Sequence, residues 1–341
     1  MPKLIADAID RAVSIEMRFA AELPRGVIRP LYEAARDAQG GDPLVYLAAR
    51  AVLDRVRQRD VVLIVTGSGS RFGLHRGETD GPLGAASLAR VLDLGLGARV
   101  ALVCDEPHRE PIVATVEAAG ISVIDAERFE RRPHTAVVET LPPGDVAGRR
   151  FAETALDRYA PRAVVFIEKT GPNAKGVHHT ILGSAKEPGE TGHAFHLAEL
   201  ARQRGIVTIG VGDGGNEIGN GVIYDAVRKI QPFGTVCRCP CGDGIATITS
   251  TDVLVSASVS NWGAYGIAAQ LAFELKDPEL FQDEETEDFM LRRCVAAGGT
   301  DGAYAAQVLR VDGTSLRTQR ALVSILREIV ANGLRSVTRG F

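Results

Sequence analysis

The chain has 341 residues, of which 45% are apolar, and 39 Lys+Arg against 43 Asp+Glu leave a formal charge of −4. That length makes one large α/β unit or about two smaller ones, and the composition excludes wholesale disorder. Mild acidity provides no basic footprint for nucleic acid, and the absence of any run of about 18 apolar residues argues against a membrane-spanning helix.

Leu4, Ile5, Ala8, Ile9, Ala12 and Ile15 recur at three- and four-residue spacing, the apolar stripe of a first helix. Pro24, Gly26 and Pro30 interrupt that pattern, and a second helix is expected from about Pro43 to Val56 with Asp42 as its N-cap. Residues 1–58 therefore read as a helical cap on a unit spanning 59–341. From Asp60 the texture becomes strand, glycine-rich turn, helix, repeated. Val61–Val65 is a continuous apolar run, β-branched at every position but Leu63, as in a strand buried on both faces. Further strands are expected at Ala98–Val103, Ile121–Ile124, Ala163–Ile167, Ile206–Val211 and Asp252–Val255. Helices are expected at Leu83–Leu96, Pro111–Ala119, about Gly192–Gln203 and Trp262–Leu275, with a helical tail through Leu322, Ile325, Leu326 and Ile329. This alternation predicts an α/β fold: a mostly parallel, Rossmann-like sheet with helices on both faces.

In such a sheet ligands bind outside the carboxyl ends of the strands. Four segments occupy that position: Thr66–Pro82, Glu168–Thr180, Gly212–Gly221 and Ser256–Gly263. The third is the most informative. Gly212-Asp213-Gly214-Gly215-Asn216-Glu217-Ile218-Gly219 sets two acids and a carboxamide among glycines, more than a helix cap needs. Glu168-Lys169 follows a strand directly, where the two charges orient a ligand or pair with each other. Glu78-Thr79-Asp80-Gly81-Pro82 places two acids before a helix.

Other signals weigh less. Cys237-x-Cys239-x-Cys241 suggests a metal site, but alternate residues of a strand face opposite ways and no second Cys/His pair follows at ligand spacing. His178 and His179 are adjacent and cannot share a strand face. Thr66-Gly67-Ser68-Gly69-Ser70 lacks the Gly-Lys-Ser/Thr of a P-loop, so no nucleotide is expected. The N-terminal stretch mixes Asp7, Asp10 and Glu16 with apolar residues, unlike a secretory signal or an acid-poor transit peptide. Five cysteines in so long a chain do not form a disulfide framework, and the expected location is cytoplasmic.

Taken in order, the Thr66-Gly67 turn, Glu78-Thr79-Asp80-Gly81-Pro82-x-Gly84-Ala85, the Gly212–Gly219 loop, Pro240-Cys241-Gly242-Asp243 and Ser260-Asn261-Trp262-Gly263-x-Tyr265 resemble the C-terminal domain of D-glutamate cyclases. The resemblance runs from about Asp60 to Leu275, close to two-thirds of the chain. It implies closure of D-glutamate to 5-oxo-D-proline with loss of water. The family pattern E-R-P-G-R-A-x-D-G-x-Y-Y reads here Glu168-Lys169-Thr170-Gly171-Pro172-Asn173-Ala174-Lys175-Gly176-Val177-His178-His179: Lys169 and Pro172 replace arginines, and Lys175 replaces the Asp. Gly219-Asn220-Gly221 stands for Gly-Met-Gly. Arg and Lys are not equivalent at a bidentate carboxylate site, so the altered loop bears on substrate choice.

Lactam closure needs a neutral amine, an electrophilic carboxyl and a proton or cation at the leaving oxygen. Asp213 and Glu217 are the candidates for base and acid, with Glu168 as a third catalytic carboxyl. Alternatively Asp213 and Glu217 bind Mg²⁺ or Mn²⁺ as a Lewis acid. Thr66, Gly67, Asp80, Gly81, Gly214 and Asn261 are expected to contact substrate, with Asn216 on a carboxyl oxygen and Lys169 on the distal carboxylate. The expected partner is a small acidic metabolite, neither nucleic acid nor membrane, with a homo-oligomer left open. Two other readings stay open: a related lyase or cyclase on another small carboxylate, and a non-catalytic sensor of an acidic metabolite.

Overall fold

The computed structural model describes residues 1–18, 23–71, 73–129 and 132–335. The elements are α1 (Pro2–Val13), α2 (Ile28–Ala38), α3 (Leu44–Arg55), β1 (Val61–Thr66), α4 (Pro82–Leu96), β2 (Arg99–Asp105), α5 (Arg109–Ala118), β3 (Ser122–Val123), β4 (Thr135–Leu141), α6 (Asp145–Tyr159), β5 (Ala163–Ile167), α7 (Phe195–Gln203), β6 (Val207–Gly212), α8 (Tyr224–Ile230), β7 (Val253–Ser256), α9 (Ser260–Glu274), α10 (Glu284–Ala296), β8 (Arg310–Val311), β9 (Thr314–Ser315) and α11 (Leu316–Leu334).

Strands β1 to β7 form one parallel sheet in the order β3-β4-β2-β1-β5-β6-β7. The period of two along each strand divides the apolar residues between the faces. Val62, Ile64, Val100 and Leu102 join one hydrophobic cluster with residues of α4, α5, α9, α10 and α11. Leu63, Val65, Ala101 and Val103 join the other, with residues of α6 and α7. The chain runs from β1 through β2 to β4 on one side, then returns to lay β5 on the other side of β1. The crevice between β1 and β5 is therefore the topological switch point, where open α/β sheets bind ligands.

All six expected strands are present, within one or two residues at their ends. Strand β4 and helix α2 were not expected. Pro30 falls in the first turn of α2, where the backbone N–H has no helical partner to lose, so it does not break the helix. The helices expected as a cap share the first hydrophobic cluster: Ala6 and Ile9 of α1 and Val45 and Ala48 of α3 belong to it beside Ile267 and Leu271 of α9. Among the described residues no helix is long and apolar enough to cross a membrane.

Asp42 does not cap α3. Asp10 of α1 does: its carboxylate accepts from Leu44 N at 2.6 Å and Val45 N at 3.1 Å, with Tyr32 Oη at 3.1 Å. A cap delivered from a neighbouring helix leaves no local sequence signal. Asp42 instead pairs with Lys3 at the surface. Asp10→Ala orphans buried donors and is expected to cost about 1–3 kcal/mol, whereas Asp42→Ala changes stability little. Urea midpoints of the two variants check this, and equal effects would contradict the assignment.

Candidate active site

Thr66 ends β1, and Glu168 follows β5 directly with a left-handed φ of 51°, a costly conformation for a residue with a side chain. Gly81 lies between them at φ 100°, where a Cβ would stand 2.7 Å from Thr66 Oγ1 and 3.2 Å from Glu168 Cβ. Only glycine lets the three segments meet so closely. The N-termini of α4 and α9 are capped reciprocally at the same place. Asp80 accepts from Ser260 N at 2.9 Å and Asn261 N at 2.7 Å, while Asn261 Oδ1 accepts from Gly81 N at 2.8 Å and Gly84 N at 2.7 Å. Ser260 Oγ, at the start of α9, donates to Glu168 Oε2 at 2.5 Å.

Outside this strand edge lies a cavity of about 410 Å³, with Arg18, Glu78, Glu168, Lys186, Asp213, Asn216, Glu217, Arg238 and Asp312 among its lining. Carboxyl oxygens of Asp80, Glu168 and Asp213 lie within 4.8 Å of one another. Arg18 sits between Asp213 Oδ2 at 2.9 Å and Asp312 Oδ2 at 2.8 Å and is almost wholly buried. Lys186 Nζ donates to Ser68 Oγ at 2.8 Å. Asn216 spends its amide nitrogen on the His179 carbonyl at 3.0 Å, leaving Oδ1 buried without a hydrogen-bond partner among the described residues.

The crowding of acids shows in their protonation. Burial holds Glu168 well above the usual carboxyl range, and Asp213, Glu217, Asp80 and Glu78 push it further. Burial also raises Asp213, with Arg18 opposing the shift and Asp312, Asp80 and Glu217 adding to it. Asp80 is pushed up to about 7 by burial and by Asp312, against the backbone N–H groups of Asn261 and Ser260. Burial lowers Lys186, although Glu78 opposes the shift. Opposed environments of this kind separate acids from bases.

A family profile described as D-glutamate cyclase-like, C-terminal, matches residues 40–327, well over half of the chain. The chain belongs to the D-glutamate cyclase-like family. It is also similar to the mitochondrial D-glutamate cyclase of Homo sapiens, 31% identical over 226 residues. That match covers 62% of this chain and 32% of the human protein, so the chain spans about a third of that relative's length.

Several expected roles do not fit this D-glutamate cyclase-like site. Lys169 is buried with Nζ 2.6 Å from Asp105 Oδ2 and 3.4 Å from Gly67 O; it does not line the cavity and is not placed to hold a distal carboxylate. Glu217 is committed to its own loop, accepting from Gly214 N at 3.0 Å, Gly215 N at 2.8 Å and Asn220 Nδ2 at 2.8 Å. Its carboxylate holds the shape of this loop while still lining the cavity, and the carboxyl that converges with Asp80 and Glu168 is that of Asp213. Asn216 offers an acceptor to the cavity, which suits an N–H group rather than a carboxylate oxygen. Asn261 faces the α4 N-terminus rather than the cavity. Gly214 is held too tightly for a side chain, since a Cβ would meet Asn216 Oδ1 at 2.8 Å and Glu217 Oε1 at 2.9 Å.

Arg18, Lys186, Arg238 and Asp312 of this D-glutamate cyclase-like chain also line the cavity, and none of the four was expected there. Asp312-Gly313, with φ of 48° and 78°, turns the β8–β9 hairpin. An Asp-Gly hairpin is legible as a turn in a sequence; its arrival at the cavity is not.

Proposed function

We propose that the chain closes D-glutamate, or a close amino dicarboxylate, to a five-membered lactam with loss of water, giving 5-oxo-D-proline from D-glutamate. The observation that carries this reading is the pairing of Glu168 and Asp213 in the lining of a cavity that also presents Arg18, Lys186 and Arg238, with the buried Asp80 carboxyl within 4.8 Å of both. A substrate with one ammonium and two carboxylates complements such mixed charge, and family membership points the same way.

In this reading Asp213, once ionised beside Arg18, takes one proton from the substrate ammonium, and Asn216 Oδ1 accepts a hydrogen bond from the same nitrogen. The freed amine attacks the side-chain carboxyl carbon, helped by the proximity of an intramolecular closure. Glu168, held protonated by burial, gives its proton to the departing oxygen. The second nitrogen proton returns to Glu168, and Asp213 passes its proton to the same oxygen. Two protons leave nitrogen, two reach oxygen, one C–N bond forms, one C–O bond breaks, and water departs.

A second reading is favoured by the same three carboxyls. Their all-oxygen donor set fits Mg²⁺ or Mn²⁺. Bound by Asp80, Glu168 and Asp213, such an ion would polarise the substrate carboxyl as a Lewis acid. A sensor of an acidic metabolite would gain little from burying these acids, because desolvating them costs free energy and the extra negative charge repels its ligand.

The test is a panel of D- and L-amino dicarboxylates of neighbouring chain lengths, followed by mass spectrometry after chelation and after Mg²⁺ or Mn²⁺ add-back. Loss of one water from D-glutamate is the expected result. Activity that survives chelation assigns the acid/base route; activity restored only by the added ion assigns the metal route. Ligand-induced thermal stabilisation with no mass change on any member of the panel would replace the enzyme reading with the sensor.

A further inference from the structure

On the far side of the loop that follows β5, three cysteines and a histidine converge. Cys237 Sγ lies 3.4 Å from Cys239 Sγ and 3.3 Å from Cys241 Sγ. His179 Nε2 lies 3.3 Å from Cys239 Sγ and 3.6 Å from Cys241 Sγ. All four atoms fall within 4.8 Å of one another, and all three thiols are free of disulfides. The expectation that alternate cysteines face opposite ways fails because residues 237–241 form turns and bends rather than a strand. The missing fourth ligand is His179, 58 positions before Cys237 (237 − 179) and too distant in sequence to be recognised by spacing.

We propose that His179, Cys237, Cys239 and Cys241 bind a structural zinc ion. Zn–S distances of about 2.3 Å and Zn–N distances of about 2.0–2.1 Å at tetrahedral angles require S···S edges of about 3.8 Å and S···N edges of about 3.5 Å. The two S···N distances bracket the latter value, and the two S···S distances need to open by only a few tenths of an ångström. The groups behind the ligands are oriented for the same purpose. His179 Nδ1 lies 3.1 Å from Val177 O, which places the ring proton on Nδ1 and leaves the Nε2 lone pair facing the sulfurs. Asn173 Nδ2 lies 3.4 Å from Cys241 Sγ, the N–H contact a metal-bound thiolate accepts. Asn173 Oδ1 meanwhile accepts from Lys175 N and Val177 N, ordering the turn that leads to His179. Three soft thiolates and one imidazole, all four positions filled by protein, describe a closed structural site rather than a catalytic one.

The ion would add a third tie between two loops that already meet through Arg238 N to Gly183 O at 2.8 Å and Asn173 Nδ2 to Gly244 O at 2.8 Å. His179 O receives the Asn216 amide at 3.0 Å, and the same loop carries Ile181, Ser184 and Lys186 into the cavity lining. Zinc therefore acts here as a positioning element for the acceptor and cation of the site and does not touch the reacting atoms.

Metal analysis of the purified full chain after extensive dialysis is expected to find about one zinc per chain, as a closed site of this type holds. Cys239→Ser and His179→Ala should lose it, while Cys294→Ser, which alters a buried thiol on α10, should keep it. Should the first two variants fail to fold, the wild-type protein still decides. A mercurial titration should release zinc in step with thiol modification, and cobalt replacement should show thiolate charge-transfer and tetrahedral d–d bands. These readouts do not depend on turnover, so they stand whether or not lactam formation is found. Wild-type protein that holds essentially no zinc even after stoichiometric addition, or an iron–sulfur chromophore in its place, would overturn the assignment.

Discussion

Glu168→Gln and Asp213→Asn should each reduce turnover by about 10²–10⁴-fold, the usual cost of removing a general acid or base, while thermal stability holds or rises. The second half of that expectation is the informative one. Burial first, and neighbouring acids after it, push both carboxyls upward, so a neutral amide at either position avoids the cost of burying an ionised group. Neither change orphans a structural donor: a glutamine carbonyl at position 168 still accepts from Ser260 Oγ, and Arg18 keeps Asp312 when Asp213 is neutralised. Active groups commonly trade stability for function in this way. Glu217→Gln should behave differently, because its carboxylate receives two backbone N–H groups and the Asn220 amide, and a glutamine presents one NH₂ toward those donors. Turnover and melting temperature measured on all three variants separate the roles; near-wild-type turnover in Glu168→Gln and Asp213→Asn would remove both from the chemistry.

Arg18→Met should destabilise the fold by about 3–5 kcal/mol at neutral pH, the cost of stripping a buried carboxylate pair of its cation. Arg18 Nη1 contacts both Asp213 and Asp312, and Arg18 Nη2 donates to the Asp213 carbonyl at 3.1 Å. The loss should depend on pH in a defined direction. Asp213 already titrates above its unfolded value, so its contribution to stability is complete below the ordinary carboxyl range and is lost as pH rises through the raised value. Removing Arg18 raises that value further, so the penalty grows with pH and shrinks in acid. Guanidinium unfolding of Arg18→Met between mildly acidic and neutral pH checks this, with Asp312→Asn as the second arm of a double-mutant cycle. A penalty independent of pH would mean that Arg18 stabilises by packing alone.

The sheet was legible because a parallel strand covered on both faces is written as a run of β-branched residues, and β1 and β5 are such runs. Strand β4 escaped because Glu139 and Thr140 interrupt the apolar run of Thr135-Ala136-Val137-Val138-Glu139-Thr140-Leu141 before its last residue. Glu139 is tolerated there through Tyr159 Oη and Arg158 Nη1, partners on α6 that no local pattern shows. The loops after β1, β5 and β6 were found for a general reason: ligands gather at the carboxyl edge, and acids among glycines are unusual. What each side chain does was less visible. Lys169 looked like a substrate cation until Asp105, at the end of β2, was seen to neutralise it. Arg18 carried no signal, since it follows α1 in an undistinguished stretch and acquires meaning only from anions far along the chain. The three cysteines were misread for the opposite reason, because a strand was assumed where the backbone turns.

The bond between Arg18 and Asp312 joins residues 294 positions apart. In chain order Arg18 precedes the whole of β1 to β7, and Asp312 follows it. Closing so long a loop costs chain entropy, although that cost rises only slowly with length. The cavity is thus a clasp between the two flanks of the sheet-forming segment, shut where the β8–β9 hairpin folds back on the residues that follow α1.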